Sequence, residues 1–271
     1  SSPTAMPAVP DMVRIYSPRF GSALLLLAGT MLSTRAQSFL PPAPYGGDQA
    51  VKWLVEQEFV MAPQEIEAGT EGEVELTFTV QADGRSKNMR VSGTLGEAND
   101  SEALRVAKLI RWHPASVGGS ALDTERKLKI PVSAKRYKKA HARSIPPPGF
   151  ISLPADDSGE IHQDRGTDSL AIPMIAKGLR GLPTYIAENL RYPEDARRRD
   201  IQGKVAVEFV VEISGNVSNI RAVEALGGGC DDEAMRLIRS MRWRPAFKGG
   251  LRVRSIVKMD IQFRLNTNQR P

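Results

Sequence analysis

Across 271 residues the chain has one cysteine, Cys230, so it can form no internal disulfide. As a nucleophile that thiol would need a base beside it, and the three histidines, His113, His141 and His162, all lie outside the stretch that surrounds it. Their scatter matches no metal-ligand spacing. No Walker or dinucleotide fingerprint is present. The expectation is therefore a protein with no catalytic residues, no metal and no cofactor. Aromatic residues make up 6% of the chain and do not interleave with its cations. Base-stacking platforms are thus missing, which argues against nucleic acid despite a net charge of +6 and a pI near 9.5. A long apolar run is missing too. Gly21–Leu32 (GSALLLLAGTML) falls short of the roughly 20 residues that span a bilayer.

That short run has the layout of a signal peptide. Met12 gives a start, Arg14 and Arg19 a positive n-region, and Thr34 and Ala36 the small residues for cleavage before Gln37. The expectation is export to the periplasm, with inner-membrane anchoring if the segment is retained. No cysteine follows the apolar core, which excludes a lipoprotein anchor.

What the chain does contain is a repetition. Residues 72–130 align without a gap onto 203–261, at an offset of 131, with 21 identities in 59 positions. Among them are Gly72/Gly203, Phe78/Phe209, Gly84/Gly215, Asp100/Asp231, Trp112/Trp243 and Pro114/Pro245. This is a duplicated module.

Each copy carries the same signals in the same order. Val74, Leu76, Phe78 and Val80 alternate with polar residues, as do Val205, Val207, Phe209 and Val211, which predicts half-buried strands. Asp83-Gly84 and Ser214-Gly215-Asn216 are turn signals. Asn99–Glu102 (NDSE) has the form of a capping box. Trp112-His113-Pro114 and Trp243-Arg244-Pro245 end the helices, and alternating last strands follow. Asp48–Phe59 and Thr184–Leu190 read as helices that precede each copy. The fold class is α+β: two tandem two-layer domains, each an antiparallel three-stranded sheet with two helices on one face. The boundaries are 1–36 upstream residues and signal peptide, 37–47 spacer, 48–134 first domain, 135–180 linker, 181–265 second domain and 266–271 tail. Lys135–Arg143 is a basic run, read as a solvated part of that linker.

Several motifs carry a plain reading. Gly227-Gly228-Gly229 is no phosphate cradle, because Asp231, Asp232 and Glu233 stand where an anion would bind. Trp112 and Trp243 pack helix ends onto sheets. Arg239, Arg242, Arg244, Arg252 and Arg254 make a solvated basic face.

From Tyr192 to Leu265 the chain resembles the C-terminal domain of TonB-type energy transducers. The features are Tyr192-Pro193, then Gly203-x-Val205-x-Val207-x-Phe209, the turn Gly215, the helix ending in Trp243-x-Pro245, and the alternating strand to Phe263. The first copy has Ala62-Pro63 in place of the Tyr-Pro. The resemblance implies a periplasmic domain that binds TonB-dependent outer-membrane transporters, or other envelope proteins, by accepting an extended segment as an added strand. The receiving edge would be Leu251–Phe263, with Arg254, Ile256, Lys258 and Asp260 as outward positions beside the added peptide. Asn189, Leu190 and Arg191, leading into Tyr192 and Pro193, would also touch the partner. A transducer proper has a membrane helix and a long spacer, which this pattern does not show. The first copy would then serve as a spacer or a homodimer contact. The alternative is an envelope structural protein that binds peptidoglycan through the basic run.

Overall fold

The computed structural model describes residues 38–142 and 153–265. The expected signal peptide, the Pro-rich part of the linker and the tail lie outside these residues. The chain enters through β1 (Phe39–Leu40) and β2 (Ala43–Pro44), followed by helices α1 (Gly47–Glu58) and α2 (Pro63–Ala68). Strands β3 (Glu71–Val80) and β4 (Ser86–Gly93) precede helix α3 (Glu97–Lys108). Short strands β5 (Trp112–His113), β6 (Ala115–Val117) and β7 (Ser120–Leu122) lead into β8 (Thr124–Ser133) and helix α4 (Ala134–His141). After β9 (Ile161–His162) and β10 (Ile172–Pro173) the order recurs. It runs α5 (Leu182–Asn189), α6 (Glu194–Arg198), β11 (Gly203–Val211), β12 (Val217–Glu224), α7 (Cys230–Arg239), β13 (Trp243–Arg244), β14 (Ala246–Lys248) and β15 (Leu251–Phe263).

The strand alternation does what period two requires. Val74, Leu76, Phe78 and Val80 are buried under Val106 and Ala107 of α3, while Glu73 and Glu75 line the wet face. The second copy buries Val205, Val207, Phe209 and Val211 under Leu237 and Ile238 of α7. Each such side chain contributes roughly 1.5–3 kcal/mol by leaving water. The first sheet is antiparallel, in the order β4-β3-β8. The pairing registers of the two copies coincide: Val74 faces Ile130, and Val205 faces Ile261. The duplication also reaches further upstream than the ungapped alignment. β2 pairs with β5 as β10 pairs with β13, so each Trp-x-Pro segment is held by a short strand from ahead of its copy.

Gly84 shows why a turn glycine recurs. Its φ is +81°, and a Cβ there would stand 2.3 Å from the Trp112 carbonyl oxygen. The backbones need that closeness, because the Trp112 N–H donates to the Gly84 carbonyl, as the Trp243 N–H does to that of Gly215.

Three expectations need correcting. Helix α3 starts at Glu97, ahead of the capping box, because Asp100 instead folds back to accept the Leu95 N–H at 2.9 Å. The basic run is helical as far as His141: Lys135–His141 lie in α4, where the Ser133 side chain caps the helix by accepting the Arg136 N–H. The second sheet is mixed, because residues from the expected linker join it as β9, parallel to β15.

The described residues of both copies belong to one compact unit. Buried polar groups join the copies. Glu58, at the end of α1, accepts from the Ser214 hydroxyl at 2.5 Å and the Asn216 amide at 2.7 Å. Asn219 accepts from the Arg111 N–H at 2.7 Å and donates to the Leu109 carbonyl at 2.9 Å. The guanidinium groups of Arg111 and Arg221 both lie near the Tyr45 ring, 4.9 and 4.7 Å from its centroid.

Candidate functional site

A sheet offers a partner its unpaired backbone, so the question is which strand edge is open. β12 is covered over its first half, Val217–Ile220, where Leu109, Arg111 and α1 of the first copy lie over it and its hairpin, while Val223 and Glu224 at its end are exposed. β15 pairs with β11 from Val211↔Ser255 to Gly203↔Phe263. Ser255 also pairs with His162 of β9, so β9 and β11 lie on opposite sides of β15. On the β9 side the expected linker runs along the strand. The Arg252 N–H donates to the Pro154 carbonyl, and the Asp156 N–H to the Arg252 carbonyl, both at 2.9 Å. Beyond Ser255, nothing among the described residues pairs on that side. The open edge is therefore Ile256–Phe263. Strand alternation from Arg252 turns the N–H and C=O groups of Lys258, Asp260 and Gln262 toward it.

The first copy has a counterpart in β8, whose outer side carries no strand among the described residues. The Ala134 N–H donates to the Thr70 carbonyl, so even-numbered residues there face β3 and odd-numbered ones face outward. Pro131 is one of the outward positions and supplies no N–H. Lys127 and Lys129 flank the same edge. Proline and lysine are the devices by which sheet edges resist pairing. The β15 edge has no proline and one lysine, Lys258.

The expected site residues fall into three groups. Lys258 and Asp260 are exposed on the open edge, with Ile256 half-buried beside them. Arg254 is not an outward position: it is 4% exposed, and its side chain makes two bonds to buried Glu212, at 2.7 and 2.9 Å. It also donates to the carbonyls of Gly159 and Leu109, tying the linker and the first copy to β15. Arg252 is buried as well, so the expected basic face is partly interior.

Asn189–Pro193 crosses the start of α7 rather than the open edge. Glu233 accepts the Arg191 N–H at 2.6 Å, while Arg236 pairs with Glu233 and donates to the Asn189 carbonyl at 2.8 Å. Leu190 packs against the core. The Tyr192 hydroxyl donates to the Ile201 carbonyl at 2.6 Å, and its ring meets Phe263 edge-on at 5.7 Å. Tyr192 thus touches the far end of β15. Pro193 packs on the glycine run, where a Cβ on Gly229 would meet it at 3.2 Å. All three glycines of that run have positive φ, so it is a structural turn. Cys230 is fully buried, and burial pushes its thiol up, away from reactivity.

Two features escaped the sequence reading. The Glu233–Arg236 brace has a twin in Glu102–Arg105, which holds the Val60 N–H and the Glu58 carbonyl. The repeated Glu-Ala-x-Arg was visible at both places. The linker's pairing with β15 had no such signal.

A family profile described as Gram-negative bacterial TonB protein C-terminal matches residues 62–133 and 188–265, together more than half of the chain. A Pseudomonas putida protein named Protein TonB is 37% identical over 75 residues, which cover 25% of this chain and 31% of that protein. The match thus spans about a third of that relative's length. A solution NMR structure titled Pseudomonas aeruginosa TonB CTD shares 19% identity, covering 37% of this chain and 88% of that one, with a TM-score of 0.23.

Proposed function

The chain belongs to the Gram-negative bacterial TonB protein C-terminal family, and from that premise we propose that it is a non-enzymatic protein of the cell envelope, acting in transport. Its second copy binds an extended segment of an outer-membrane transporter by strand addition. The observation that carries this reading is the open edge Ile256–Phe263, with outward backbone groups and no proline. Main-chain hydrogen bonds supply affinity there, and side chains at alternate positions supply selectivity. The duplication makes the chain a tandem of two such domains. The first copy serves as a brace, since its own edge is guarded by Pro131 and two lysines and its α1 packs on the β11–β12 hairpin of the second sheet. The protein works in the periplasm.

The test is titration of the chain with a synthetic eight-residue strand peptide, followed by calorimetry. Micromolar binding is expected, and it should be lost in Lys258→Pro, which removes an outward N–H but leaves the β11 ladder intact. Absence of binding at high micromolar peptide would sink the reading.

A second reading rests on α4, where Lys135, Arg136, Lys138 and Lys139 are all exposed. Such a helix suits an anionic envelope polymer such as peptidoglycan. Co-sedimentation with purified cell wall, lost when these four residues become glutamine, would favour it.

A further inference from the structure

The face of the second sheet opposite its apolar core carries two rows of charge that run across its strands and stop at the open edge. In the first row Arg221 on β12 pairs with Glu208 on β11 at 2.8 Å, and Glu208 pairs with Lys258 on β15 at 3.3 Å. Arg111 of the first copy adds a further cation to Glu208 at 3.7 Å. In the second row Glu224 on β12 reaches Lys204 on β11 at 3.6 Å, and Lys204 reaches Asp260 on β15 at 3.2 Å. The signs alternate along each row, and the rows are opposite in phase. The first ends on a cation and the second on an anion, two residues apart on the same face of β15. Both end groups keep more than half of their side-chain surface in water, at 70% and 55%.

A strand laid on this edge would meet both ends at once. Directly opposed charges on neighbouring strands attract when unlike and repel when like. The next member of the first row must be acidic, and that of the second row basic. The orientation is indicated by β9, which the chain itself lays on the same side of β15, parallel to it. β9 fills the positions beside Arg254 and Ser255, so an added strand starts opposite Ile256.

We propose that the edge selects a parallel strand bearing an acidic residue opposite Lys258 and a basic residue two positions later, opposite Asp260. The partner is thus an extended peptide of the form acidic-x-basic on the face that meets Lys258 and Asp260. This rests on the strand-addition reading and adds a charge pattern to it. The first copy offers no such ladder, because Lys127 and Lys129 put two like charges on its edge.

The experiment uses the full chain and two eight-residue peptides of the same composition, one with Glu-x-Lys and one with Lys-x-Glu at the positions facing Lys258 and Asp260. At low salt the first should bind about fivefold more tightly, the combined effect of two exposed cross-strand pairs. High salt should shrink the difference. The double variant Lys258→Gln/Asp260→Asn should bind both peptides alike. Equal affinities for the unaltered chain overturn the charge ladder while leaving strand addition standing. A preference for Lys-x-Glu overturns the parallel orientation and the proposal with it. If neither peptide binds, the strand-addition reading falls, and this inference falls with it.

Discussion

At neutral pH the Glu58 carboxylate is held away from water, where burial first and the charge of Glu212 second push its pKa above the ordinary value of 4.5. An acid whose folded pKa is raised binds its proton more tightly in the folded state. Stability from this group is therefore greatest below 4.5 and falls as pH rises through the window up to the raised folded value. Glu58→Gln keeps an oxygen for Ser214 and Asn216 and removes the charge. Its melting temperature should equal or exceed that of the unaltered chain above the raised folded pKa, and the gap should close as pH falls through that value toward 4.5. A gap that stays constant with pH would contradict the assignment. Glu233 is the opposite case. Burial raises its pKa, but the bonds from Arg236 and the Arg191 N–H outweigh burial and leave it lowered. Glu233→Ala leaves that N–H and the guanidinium without their acceptor, and should cost about 2 kcal/mol in urea denaturation. Gly84→Ala should cost at least as much, because it combines a positive φ with a clash against the Trp112 carbonyl.

At the scale of an element, β15 is two strands in one. Its N-terminal part is paired on both sides, by β11 or β14 and by the linker, and its C-terminal part on one side. Backbone alternation then separates neighbours along the open stretch. The amides of Lys258, Asp260 and Gln262 should exchange with solvent deuterium faster than those of Val257, Met259 and Ile261, which bond to β11. A uniform exchange rate along the strand would mean that the edge is covered. Bound peptide should slow the first set and leave the second unchanged. Much of this element was legible beforehand: the alternation from Val253 to Phe263 fixed which side chains face the core. The sequence does not encode what pairs beside a strand, so Arg254 passed for an outward residue. It has the right parity, but a linker and the first copy close over it.

For the whole molecule, the decisive fact is the docking of the two copies through Glu58, Asn219 and Arg254. Arg254 answers a buried Glu212, so Arg254→Ala leaves an uncompensated interior charge and should cost about 3 kcal/mol. Because Arg254 also holds the Leu109 carbonyl of the first copy, the loss should appear in both halves. Trp112 and Trp243 report on one core each. Variants that lack Trp53 and keep only one of these two should show coincident denaturation curves, shifted together by Arg254→Ala. Separate transitions would mean that the copies fold independently.

The sequence by itself determined the duplication, the long strands and main helices of each copy, and the family. All of these follow from local periodicity, turn chemistry and the recurrence of buried or sterically constrained residues such as Phe78, Gly84 and Trp112. The tertiary structure alone decided which edges remain open. That depends on contacts between residues far apart in the chain, Ile161 with Arg254 and Leu109 with Asn219, whose side chains show no period of their own. The charge rows that end at Lys258 and Asp260 arise in the same way, from three strands brought side by side.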